Sequence, residues 1–185
     1  MRLIETGIRD LVVIEPDVFG DARGYFTETW NKAKFSDLGI DTPFVQDNES
    51  MSCYGVIRGL HYQLDPYAQA KLVRVISGAV YDVAVDIRRG SPTFGKHFGI
   101  ELNSDNKLQM LIPAGFAHGF SVLSECAVFS YKCSTPYRKE WERGIFIFDA
   151  GLGIDWKIPR DKAVISDKDQ HQPLLENADF NFTYR

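Results

Sequence analysis

The stretch IPAGFAHGF, residues 112–120, decides how the rest of the chain is read. It sets Pro113, Gly115 and His118 in a P-x-G-x-x-H spacing, between an apolar run ending at Ile112 and another running through Phe120 to Val122. Proline and glycine together mark a turn, so the histidine falls inside the strand that follows. Upstream, VIRGLHYQ (residues 56–63) places His61 in a similar apolar run, two residues after Gly59. Strict alternation sends Arg58 and His61 to opposite faces of that strand. A glycine inside a strand often marks a bulge, and a bulge here lets both side chains reach one cavity.

Around these two stretches, short β-type runs recur, separated by Gly, Pro, Asn and Asp. They are DLVVIEP, GYFTETW, GVIRGLHYQ, KLVRVISGAVYDVAVDIR, FGIELN, QMLIPAG, HGFSVLS, AVFSYKC and GIFIFD. Many short strands with turn signals between them predict a sandwich or barrel. One short helix is expected over residues 31–38, where Phe35 and Leu38 form a small apolar face and Gly39 ends it. The polar C-terminal part carries at most a little helix. No repeat, low-complexity tract or linker interrupts residues 1–185, which read as one domain. In AVFSYKC, Ala127, Phe129, Tyr131 and Cys133 share the face expected to point inward. In VYDVAVDI, Tyr81, Val83, Val85 and Ile87 share one face, with Asp82 and Asp86 on the other.

Composition narrows the classes. The chain has 185 residues, 44% hydrophobic and 25% charged, which suits an ordinary globular protein. A net charge of −4 offers no basic stripe for nucleic acid. No apolar run is long enough to span a bilayer, and MRLIETGIRD, with Glu5 and no apolar core, does not read as a signal peptide. Three cysteines, Cys53, Cys126 and Cys133, form no C-x-x-C pair. They lead us to expect reduced thiols and a cytoplasmic protein. The Asn48 and Asn181 glycosylation patterns carry no weight without a secretory signal. Neither G-x-G-x-x-G nor G-x-x-x-x-G-K-[ST] occurs, so dinucleotide binding and P-loop chemistry find no support.

The P-x-G-x-x-H spacing resembles the second motif of the cupins. The resemblance implies a mainly β fold, a cupin-type jelly-roll double-stranded β-barrel with short helices. Metal-binding cupins pair this histidine with an earlier H-x-H-x(3–4)-E set. The corresponding GLHYQLD has one histidine and no partner two residues on, and His97 and His171 lie in unrelated contexts. A transition metal wants three or four protein ligands, so no metal and no cofactor are expected.

A more specific resemblance emerges from an ordered set of motifs. VFGDARGYFTE, FVQDNESMS, VIRGLHYQ, AKLVRVISGAVYDVAVDIRRGSPTFG, IPAGFAHGFSVLSE, YKCS and SDKD, from about Glu15 to Pro173, resemble the dTDP-4-dehydrorhamnose 3,5-epimerase family. That resemblance implies a cofactor-independent homodimer that epimerises dTDP-4-dehydro-6-deoxy-D-glucose at C3 and C5, on the way to dTDP-L-rhamnose. Both carbons flank a C4 ketone, so their protons are mildly acidic. Inversion needs a base on one face, an acid on the other and a group to hold the enolate.

By resemblance His61 is the base, a role that suits a side chain titrating near neutrality. Asp169 of SDKD orients it, with Asp167 as the rival carboxylate. Tyr131 is the acid, and Lys71 holds the enolate oxygen. Arg23, Glu28, Gln46, Asp47, Asn48, Arg58, His118, Glu142 and Lys168 are implied substrate contacts, the arginines suiting the diphosphate. Phe19, Phe26 and Tyr137 are candidates to stack on the base. Two departures stand out: Ala70 replaces the glycine usual before the lysine, and DWKIP replaces DWP, where a loop change is expected. Two other readings share these residues: an epimerase acting at C3 only or C5 only, and a sugar-nucleotide-binding cupin without turnover.

Overall fold

The computed structural model describes residues 1–184. In chain order the strands are β1 Arg2–Glu5, β2 Val12–Glu15, β3 Val18–Asp21, β4 Gly24–Thr27, β5 Gln46–Cys53, β6 Ile57–Gln63 and β7 Lys71–Ser77. They continue as β8 Ala79–Asp86, β9 His97–Asn103, β10 Gln109–Ile112, β11 Phe116–Val122, β12 Cys126–Cys133 and β13 Glu142–Gly144. Two short helices accompany them, α1 Lys32–Asp37 and α2 Asp167–Gln170. No helix among the described residues is long and apolar enough to cross a membrane.

The strands form a six-stranded sheet, β1-β2-β10-β7-β12-β5, and a five-stranded sheet, β13-β6-β11-β8-β9. Both are antiparallel throughout, the jelly-roll architecture expected from the sequence. The hairpin β3-β4 pairs with neither. Between the two sheets lies a core of Val73, Val75, Met110, Ile112, Ala127 and Phe129 from one side and Val80, Ala84, Leu102, Phe116, Phe120 and Val122 from the other. The outer face of the five-stranded sheet is also apolar: Ile57, Leu60, Tyr62, Val83, Val85 and Ala117 pack against Ile145, Ile147, Trp156, Phe180 and Phe182 of the C-terminal segment. On the outer face of the other sheet, Ile14, Leu72 and Leu111 bury Phe35 of α1 and Ile40. Burial on both faces explains why so many strands read as continuous apolar runs rather than clean alternations.

The predicted helix forms. Asn31 caps it, its side chain accepting from the amides of Ala33 and Lys34, and Gly39 leaves it at φ +80°. The run KLVRVISGAVYDVAVDIR is two strands parted at Gly78. GIFIFD is not a strand beyond Gly144. Ile145 exchanges backbone hydrogen bonds with Leu60, but Phe146 bonds Pro173, and the chain then turns at Asp149. Ile145 and Ile147 alternate because both plug the same outer core, not because they extend a ladder. In DWKIP, Lys157 occupies a turn at φ +60° while Trp156 stays buried.

Candidate active site

Gly59 settles the geometry of β6. Its φ is +132°, and a Cβ there would lie 2.5 Å from the Gly119 Cα. The β6–β11 register pairs His61 with His118 but Arg58 with Phe120, a shift of one residue. Consequently Ile57, Leu60 and Tyr62 all enter the outer core, and Arg58 and His61 turn together toward the space between the sheets. The bulge predicted at the glycine is present.

His61 Nε2 lies 2.6 Å from Asp169 Oδ1. The carboxylate's side chain is 4% exposed and the imidazole's 27%. Asp169 reaches this point from α2, where Ser166 caps the helix and accepts from the Asp169 amide. Burial by itself would raise the Asp169 carboxyl, but the hydrogen bond and charge of His61, with Ser166, hold it below the usual range. The rival Asp167 is 97% exposed, with its carboxylate toward His171. With Nε2–H donated to the Asp169 carboxylate, the lone pair of His61 sits on Nδ1.

Opposite His61, from the six-stranded sheet, β12 directs Tyr131 inward beside Phe129 and Lys71. Lys71 Nζ is 5.7 Å from the Tyr131 ring centroid. Burial lowers the Lys71 ammonium pKa, against the opposing pull of Cys133, Asp82 and Glu142. Burial raises the Tyr131 phenol, reinforced by Cys133 and opposed by the Arg58 charge. Ala70 does not displace Lys71 from its ladder: the lysine still pairs with Cys133, and the Ala70 amide bonds Ser134 Oγ at 2.8 Å.

Around these groups the mouth of the cavity is polar. Glu142 Oε2 accepts from Lys168 Nζ at 2.6 Å and from the Tyr137 hydroxyl at 2.9 Å. These two bonds overcome the effect of burial and hold Glu142 below the usual carboxylate range. Gln46 and Asn48 alternate inward on β5: Gln46 Nε2 donates to Asn48 Oδ1 at 2.9 Å, and Asn48 reaches the Cys133 sulfur. Arg58 Nε donates to Ser52 Oγ at 3.0 Å.

Two groups in the cavity escape a reading of the sequence. Asp82 is fully buried and receives His118 Nε2 on both oxygens at 3.0 Å. The site therefore holds a second histidine–carboxylate pair beside the first. An acid set opposite an apolar face in VYDVAVDI was the available signal, but Asp86 shares it, and Asp86 instead anchors Arg88, Ser91 and Thr93 at the strand end. Cys133, buried next to Lys71, is the other.

Three expected contacts are not brought to this cavity. Arg23 sits at the tip of the β3-β4 hairpin, bonded to Asp21. Glu28 pairs with Lys34 of α1 at 2.8 Å. Asp47 points to the outer face of its sheet, toward Lys132 at 2.8 Å. Among the described residues no cluster of three or more His, Cys, Asp or Glu side chains is arranged to hold a metal ion.

Known proteins share this arrangement of chain and fold. The dTDP-4-dehydrorhamnose 3,5-epimerase family model matches residues 5–177. The chain is 51% identical over 181 residues to the dTDP-4-dehydrorhamnose 3,5-epimerase of Shigella flexneri, covering 97% of this chain and 99% of that one. The crystal structure of the dTDP-4-dehydrorhamnose 3,5-epimerase of Elizabethkingia anophelis superposes with a TM-score of 0.92 at 54% identity, over 96% of this chain and 97% of that one. The dTDP-6-deoxy-D-glucose-3,5-epimerase of Legionella pneumophila, solved in complex with dTDP-4-keto-L-rhamnose, gives 0.92 at 49% identity, over 96% and 94%. The chain belongs to the dTDP-4-dehydrorhamnose 3,5-epimerase family.

Proposed function

We propose that this protein is an isomerase that converts dTDP-4-dehydro-6-deoxy-D-glucose to dTDP-4-dehydro-L-rhamnose by inverting C5 and C3, without a cofactor. The observation that supports the reading is that His61 on β6 and Tyr131 on β12 belong to opposite sheets, with Glu142 near enough to interact with each. A planar enolate between them meets a base on one face and an acid on the other. His61 Nδ1 removes the proton from C5, and the electron pair moves into the C4 oxygen. Lys71 Nζ holds that oxygen, in a site where little water competes. Asp169 keeps His61 in the correct tautomer and balances the imidazolium. Tyr131 then delivers a proton to the opposite face, and the cycle repeats at C3.

Gln46, Asn48, Arg58, His118, Glu142 and Lys168 hold the substrate from the same chain. Tyr137 flanks the mouth as a surface for the base. Arg23 and Glu28, with Phe19 and Phe26, come from a second copy. Among the described residues the β3-β4 hairpin pairs with no other strand, and Phe19 and Phe26 are about two-thirds exposed. An isolated hairpin is marginal in water, and exposed aromatic patches mark contact sites. We therefore read the protein as a homodimer of single-domain subunits, and its three cysteines without a C-x-x-C pair suit a cytoplasmic location. Incubation with the dTDP-4-keto-6-deoxy sugar tests the activity: NMR should show the L-rhamno product accumulating, and an unchanged sugar spectrum would refute it.

A further inference from the structure

Cys53 closes β5 and Cys126 opens β12, and they are direct partners in the antiparallel ladder. The Tyr54 amide donates to the Glu125 carbonyl at 2.9 Å, which makes 54–125 a hydrogen-bonded pair. Its neighbour 53–126 is therefore the non-hydrogen-bonded kind, where Cα atoms approach closest and side chains lie side by side. That spacing is compatible with a disulfide. The two sulfurs stand 2.7 Å apart, and both thiols are free and exposed. Cys133 is buried at the far end of β12, next to Lys71, and cannot compete for either.

The geometry points to Cys53 and Cys126 as an oxidisable pair that closes into a disulfide. A hydroperoxide is the oxidant. One thiolate attacks a peroxide oxygen, becoming a sulfenic acid as water leaves; the second sulfur then forms the S–S bond and expels another water. Two thiols and one hydrogen peroxide thus become one disulfide and two waters.

The cross-link would tie β5, an edge strand that pairs with β12 among the described residues, across a separation of 73 residues. Closing so long a loop removes much of the freedom of the unfolded chain, so the oxidised protein should melt at a higher temperature.

Full-length protein treated with hydrogen peroxide and then denatured should show one titratable thiol instead of three. Its mass should fall by about 2 Da, and a peptide joining Cys53 to Cys126 should appear without reductant. Its melting temperature should rise, and dithiothreitol should reverse every change. Cys53→Ser and Cys126→Ser should each abolish the mass loss and the thermal shift. Retention of three thiols, cross-linking through Cys133, disulfide-linked dimers, or only oxygen-added mass on single cysteines would overturn the proposal.

Discussion

At the scale of the residue, the chemistry rests on environments that push side chains apart in acidity. The Lys71 ammonium is lowered by burial from the ordinary 10.5. Raising the pH therefore discharges it before a solvent-exposed lysine, and its proposed hold on the enolate is lost. The alkaline limb of the kcat/KM profile should fall below that ordinary value, and Lys71→Met should remove the limb along with most activity. Asp169 has the opposite linkage. Its folded pKa lies below the unfolded one, so its stabilising contribution is complete above the unfolded value and is lost as pH falls through the folded value. Asp169→Asn should flatten the acid side of the unfolding curve and lower kcat by roughly a hundredfold or more. Tyr131→Phe should stop inversion while leaving proton exchange at His61, visible as deuterium uptake without product. The positions of these residues were legible, because His61, Lys71, Tyr131 and Asp169 each lie in a motif that the resemblance picks out. Asp82 was not, because nothing in the sequence separates a buried acid serving a histidine from Asp86, one strand turn on, which serves an arginine.

At the scale of the element, β6 shows how one residue sets the site. Gly59 moves Arg58 onto the face of His61, and its missing Cβ lets β6 lie against β11. Gly59→Ala would set a Cβ 2.5 Å from the Gly119 Cα and 2.8 Å from the His118 carbonyl oxygen, at a φ that L residues avoid. Thermal melting should show a large loss of stability, and the surviving folded protein should be inactive. Gly20→Ala on the hairpin, where the nearest atom would be 3.8 Å away, should melt almost as the parent does. Strand β5 marks the limit of pattern reading. QDNESMSC has almost no apolar residue, because one side faces the polar cavity and the other faces outward at a sheet edge. GIFIFD errs the other way: its alternation reflects packing of Ile145 and Ile147 on a sheet they do not extend.

At the scale of the whole molecule, the two-sheet frame was readable from turn-punctuated apolar runs and the P-x-G-x-x-H turn. The proposed relation between subunits was not, since no pattern along one chain says where its hairpin would dock. Arg23 stands on that hairpin, outside its own cavity. If it serves a second copy, mixing Arg23→Ala with His61→Ala subunits should restore activity to about a quarter of the parent, from hybrid dimers with one intact site. Activity that stays at background after subunit exchange would place Arg23 in its own chain's site.

The central claim is that His61 removes both protons. NMR of the dTDP-4-keto-6-deoxy sugar in deuterated water tests it most directly. The parent protein should place deuterium at C3 and at C5, and His61→Ala should place it at neither. Exchange at either carbon by His61→Ala above the enzyme-free rate, or at one carbon only by the parent, would contradict the account.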